Sequence, residues 1–206
     1  MVRMLASATI MVAVVLLSLG AAASEYGHPA VVRIVGPSGS GCTGWFYTAP
    51  NAVRLLITAG HCYGMKLRGS SRLVWLYQIE EDGIDVAVAM DVSDDGPDRT
   101  LSLSTKFPDF LDPVYFHGYP GGMEVLATGI WIGKYPKFFD TYVAVFTEDA
   151  VIPGASGGPI LNAHDEVLGM VWGIQQEPTA GLVRVFFVPA HVIKRVLDEL
   201  SREKKR

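Results

Sequence analysis

Three short stretches carry side chains able to do acyl-transfer chemistry. In "PGASGGPI", residues 153–160, Ser156 is framed by glycines. Glycine tolerates backbone angles closed to other residues, so this serine can sit on a tight turn with its hydroxyl exposed. Gly154 leaves room for backbone N–H groups to converge. Those of Gly154 and Ser156 can both point at the oxygen of a tetrahedral intermediate, forming an oxyanion hole. In "LLITAGHC", residues 55–62, an apolar strand delivers His61 at its end, where one ring nitrogen can meet a carboxylate. In "GIDVAVAMDV", residues 83–92, Asp85 opens an apolar run and is expected to be partly buried. A buried carboxylate requires a partner, and a histidine in need of an orienting acceptor supplies one. Asp91 is the next candidate, less clearly placed at a strand entrance. Each part alone is ambiguous: a plain β-turn uses the same residues as the serine segment, and a lone histidine is more often structural. Together, His61, Asp85 and Ser156 meet the logic of base, orienting acid and nucleophile.

The elements that must position these residues read as short strands. The candidates are "AVVRIV", "TGWFYTA", "VRLLITA", "RLVWLYQI" and "DVAVAMDV", then "PVYFHGY", "VLATGIWIG", "TYVAVFT", "GPILN", "EVLGMVWGI" and "LVRVFFV". All are rich in β-branched and aromatic residues and are separated by Gly, Pro, Asp and Asn. The interval "VSDDGPDRT", residues 92–100, is the most polar and is the expected linker between two halves. Only the end changes period. In "PAHVIKRVLDELSREKK", Val192, Ile193, Val196, Leu197 and Leu200 recur at helical spacing, and Pro189 suits a helix start. A helix packing its apolar stripe on an all-β body is expected. Cys62 follows His61 directly and can tie that loop back to Cys42 on the preceding strand. Closing such a loop is worth about 3 kcal/mol.

With these motifs in hand, the chain resembles trypsin-fold (chymotrypsin-type) serine proteases. "TAGHC" matches the histidine motif, "IDVAV" the aspartate motif and "GASGGP" the serine motif. It is most similar to the HtrA branch, through "DAVIPGASGGPILN", "EVLGMVWGI" and "FFVPAHVIKRVLDEL". The resemblance covers most of residues 30–200 and implies an all-β fold of two six-stranded antiparallel barrels followed by a helix. The first barrel is expected at about 29–100, and the second with its helix at about 108–202. HtrA proteins carry a peptide-binding PDZ domain after the protease. The chain ends at Arg206 without one, so HtrA-type regulated assembly is not carried over and a monomer is expected. The resemblance further implies that Val171, Trp172 and Gly173 pair with the substrate backbone and line the specificity pocket. Ala150 stands where a trypsin-like specificity would place an aspartate, and Asp149, one residue off, is expected to face away. An apolar pocket taking a medium aliphatic residue follows.

The bulk properties frame this reading. The start "MVRMLASATIMVAVVLLSLGAAAS" has the layout of a secretory signal peptide, with cleavage expected after Ala23. Its apolar run is short for a membrane span, so residues 1–23 are read as a signal peptide and 24–206 as an exported, secreted or periplasmic domain. The alternative is an uncleaved, tethering anchor. In the oxidising compartment outside, a Cys42–Cys62 disulfide persists. The formal net charge of −4 gives no electrostatic reason to expect nucleic acid as a partner. No stable membrane insertion is expected after cleavage, no cofactor or metal is called for, and His117 is read as structural.

"RIVG", residues 33–36, looks like the activation site of clotting and digestive proteases. There a new N-terminal amine pairs with a carboxylate just before the catalytic serine, but here that position is Ala155. "RIVG" is therefore read as the middle of a strand. The expected function is a serine endopeptidase acting on polypeptides without an activating cut, the alternative a catalytically silent binding protein on the same fold.

Overall fold

The computed structural model describes residues 28–67, 72–81, 83–92, 99–135, 141–147, 151–177 and 181–203. The signal segment 1–23, Asp149 and Ala150 lie outside the described residues. Six strands make the first sheet: β1 (Val31–Val35), β2 (Gly41–Thr48), β3 (Arg54–Thr58), β4 (Lys66–Leu67), β5 (Leu73–Glu81) and β6 (Ile84–Asp91). Their spatial order is β4-β1-β2-β3-β6-β5. This sheet is a half-barrel rather than a closed one. Its edge strand β4 pairs with β1 over two residues only, too few to carry the ladder round to β5.

The second half contains β7 (Ser102–Leu103), β8 (Pro113–Gly118), β9 (Val125–Lys134), β10 (Tyr142–Thr147), β11 (Pro159–Leu161), β12 (Glu166–Glu177) and β13 (Leu182–Pro189). Six of these close on themselves, because β11 pairs both with β8 and with β12. The short β7 adds to β12 in parallel, outside the closed ring. The chain thus has the two-barrel, all-β architecture of the trypsin type. Helix α1 (Ala190–Glu203) follows β13 directly.

Alternation and its absence explain the layering. Central β6 is buried through Asp85–Ala89, while edge strand β5 is mostly half-exposed. The first sheet encloses Ile34, Phe46, Leu56 and Ala89. The closed barrel encloses Phe116, Trp131, Phe146 and Phe187. A third cluster joins the halves: Trp45, Leu55 and Val88 meet Met170 and Val188, with Val192, Ile193, Val196 and Leu197 of α1 packed on them. Arg33, Ile34 and Val35 are the last three residues of β1, paired with Thr43, Cys42 and Gly41, so "RIVG" lies at the end of a strand rather than its middle, with Gly36 just past it.

Candidate active site

Strand β3 ends at Thr58, and the chain turns through a single 3-10 turn, Gly60–Cys62, that presents His61. The turn is pinned to β5 and β6. Gln78 Nε2 donates to Gly60 O at 3.0 Å, and the His61 amide donates to Asp85 Oδ1 at 2.9 Å. The second carboxylate oxygen of Asp85 lies 2.6 Å from His61 Nδ1. Glycine is required at 60, since a Cβ there would stand 2.5 Å from Asp85 Oδ1 and from Ile79 O. The Asp85 side chain is 8% exposed and the imidazole 39%. The hydrogen bond to Asp85 holds the His61 pKa above its usual 6.5, against the opposing pull of burial. Cys42 and Cys62 form a disulfide, Cα atoms 6.4 Å apart, which ties this turn to β2. Asp91, the other acid considered, is instead salt-bridged to Arg54 at 2.8 Å.

Ser156 lies on the turn before β11, held between the two halves. Its carbonyl accepts the Thr43 amide of β2 at 2.8 Å, and the next amide, Gly157 N–H, donates to Val171 O of β12 at 2.7 Å. Gly157 has φ +85° and packs so closely on Thr43, Thr58 and Ala59 that no side chain fits. The serine turn is thereby placed beside the strand end that carries His61. Ser156 Oγ and the imidazole form no hydrogen bond, a contact that in serine hydrolases commonly tightens only around substrate.

The amides of this turn fall into two groups. Ala155 N–H donates to Ile152 O at 3.1 Å, Gly157 N–H to Val171 O, and Gly158 N–H to Ala155 O at 2.8 Å. Those of Gly154 and Ser156 donate to nothing among the described residues. The carbonyls, by contrast, are engaged. Pro153 O accepts from the Gly121 amide at 2.8 Å, and Gly154 O accepts from Thr43 Oγ1 at 2.9 Å. Thr43 Oγ1 in turn accepts the Tyr119 amide at 2.9 Å, and Thr58 Oγ1 donates to Thr43 O at 2.7 Å. Sequence reading missed Thr43. A threonine in a strand looks like an ordinary strand former until the register shows that it faces the other barrel.

The expected pocket segment divides. Val171 is 1% exposed, sits in the closed-barrel core, and spends its amide on Gly158 O and its carbonyl on Gly157 N–H. It holds the serine turn through both backbone groups, and its carbonyl keeps a second lone pair. Trp172 and Gly173 are half-exposed, at a bulge in the β12–β13 pairing. His117 is buried and bonded to Glu124 at 2.9 Å, fitting the structural reading. Cys42, His61 and Cys62 bring ligand-type atoms within 4.8 Å of one another, but the disulfide occupies both sulfurs.

Solved structures share this architecture. The active form of the Rv3671c protease from M. tuberculosis is similar at 21% identity and a TM-score of 0.62, over 84% of this chain and 81% of that one. A serine endoprotease from Yersinia pestis is similar at 19% identity and a TM-score of 0.66, over 86% of this chain and 65% of that chain. These likenesses establish the fold as that of trypsin-like serine proteases. No protein-family sequence profile matches the chain. No curated protein sequence matches it either.

Proposed function

We propose that the protein is an exported serine endopeptidase in which His61, Asp85 and Ser156 form the catalytic triad. Ser156 Oγ attacks the scissile carbonyl while His61 takes its proton through Nε2. Asp85 fixes the tautomer by accepting from Nδ1 and stabilises the imidazolium. The amides of Gly154 and Ser156 then stabilise the oxyanion, and His61 returns the proton to the leaving amine. Water, activated by the same histidine, releases the acyl-enzyme. The observation that carries this reading is the pairing of the His61–Asp85 bond with a serine turn whose two unengaged amides are those of Gly154 and Ser156.

The acyl side of a substrate would add as a strand to β12 beyond Val171, where β13 covers only one edge. Trp172 and Gly173 would meet it there. No activating cut is needed on this reading. Ala155 offers no carboxylate to a new N-terminus, and severing the chain after Arg33 would split β1, whose Ile34 is fully buried.

A fluorophosphonate probe tests the proposal. Labelling of the purified domain that disappears in Ser156→Ala is the expected result. Folded protein that resists labelling would favour a silent binding protein on this fold.

A further inference from the structure

The serine turn has two flanks. On one, Gly157 is bonded to β12, along which the acyl side of a substrate would run. On the other, Ser156 O is bonded to Thr43 of β2. A chain crossing Ser156 from the β12 flank therefore continues past the scissile bond toward the start of β2. That exit has two walls. One is Gly41 with the Cys42–Cys62 disulfide, and the other is the turn at Pro120–Gly122, whose Gly121 is bonded to Pro153.

Arg33 reaches into this exit. Its β1 position pairs with Thr43, so both side chains leave the same face of the sheet, the face toward the second barrel. The guanidinium lies between the two walls. A Cβ on Gly122 would stand 2.9 Å from Arg33 Cζ, and one on Gly41 would stand 3.4 Å from Arg33 Nε. Either side chain would crowd the arginine, so the two glycines keep its place open. Arg33 Nε is buried and has no hydrogen-bond partner. Among the described residues no carboxylate pairs with the guanidinium. A buried guanidinium nitrogen without an acceptor is costly, and its planar fork matches a carboxylate.

We infer that Arg33 is a specificity-determining residue that binds a carboxylate on the leaving-group side of the substrate, within the first residues after the scissile bond. The inference rests on the proposed endopeptidase function for the direction of the substrate, and on the Arg33 environment for the charge it selects. The enzyme then favours polypeptides with an acidic residue just beyond the cleaved bond.

The test uses peptides with one aliphatic acyl sequence and Glu, Gln or Lys at the first or second leaving-group position, with amidated ends. A Gln peptide ending there in a free carboxylate separates a chain end from an acidic side chain. Wild type should cleave Glu peptides with a kcat/KM about tenfold above Gln peptides, the scale of one charge-assisted bidentate contact. The Glu-to-Gln ratio should fall to parity in Arg33→Gln and be partly kept in Arg33→Lys. Equal cleavage of Glu and Gln peptides by wild type, or an unchanged ratio in Arg33→Gln, overturns the inference. The affinities of the same peptides for Ser156→Ala give a readout without turnover. A Glu preference there that depends on Arg33, together with folded wild type that resists fluorophosphonate, would keep this inference and sink the endopeptidase reading. Absence of any charge preference in binding as well as cleavage would sink the inference alone.

Discussion

His61 holds its proton more tightly than a free imidazole does, because Asp85 stabilises the charged ring. As a base it works only when neutral, so activity should rise as pH climbs through a value above 6.5 and fall away below it. Stability runs the other way. A pKa raised on folding contributes most below 6.5, and that contribution fades as pH rises through the shifted value. A pH–rate profile with a parallel NMR titration of the ring should show both trends, and flat activity from pH 5 to 8 would contradict His61 as the base. Asp85→Asn removes the main cause of the shift and leaves the wrong tautomer, so kcat should drop on the order of 10⁴-fold. The His61–Asp85 contact was legible in the sequence because two local motifs, ambiguous singly, point to one chemistry when read together with the serine turn. Thr43 was not, because its role exists only across the interface of two distant segments.

At the scale of elements, the serine turn is shaped by its neighbours more than by itself. Thr43→Val keeps the volume of the side chain but removes the donor to Gly154 O and the acceptor for Tyr119 N–H. Fluorophosphonate labelling should slow by about 10²-fold, the effect of a small misplacement of the reacting groups. Replacing both Cys42 and Cys62 by serine should lower stability by about 3 kcal/mol in a denaturant titration, since the bridge closes a 20-residue separation. All eleven candidate strands and the helix appear in the structure at their expected places. Periodicity and turn residues mark them because each spans three residues or more. The strands β4 and β7 went unseen, being two residues each and defined only by the partner they meet. The half-open first sheet was invisible for the same reason, since closure is a property of ladders and not of strands.

For the molecule as a whole, the two halves and the helix share one apolar cluster. Ile193 of α1 is fully buried in it, so Ile193→Ala should destabilise the entire protein by about 2–5 kcal/mol and unfold it in a single transition. Separate transitions for the two halves would contradict a shared core. The contacts that shape the serine turn cross this same boundary, with Thr43 and Thr58 on one side and Gly154 to Gly157 on the other. Timing follows from this. During synthesis the half bearing His61 and Asp85 emerges first and lacks a nucleophile, while the half bearing Ser156 emerges last and lacks the threonines that set its amides. If the proposed triad is right, neither half would hold a complete site by itself, and the producing cell would meet one only once the last strands have docked.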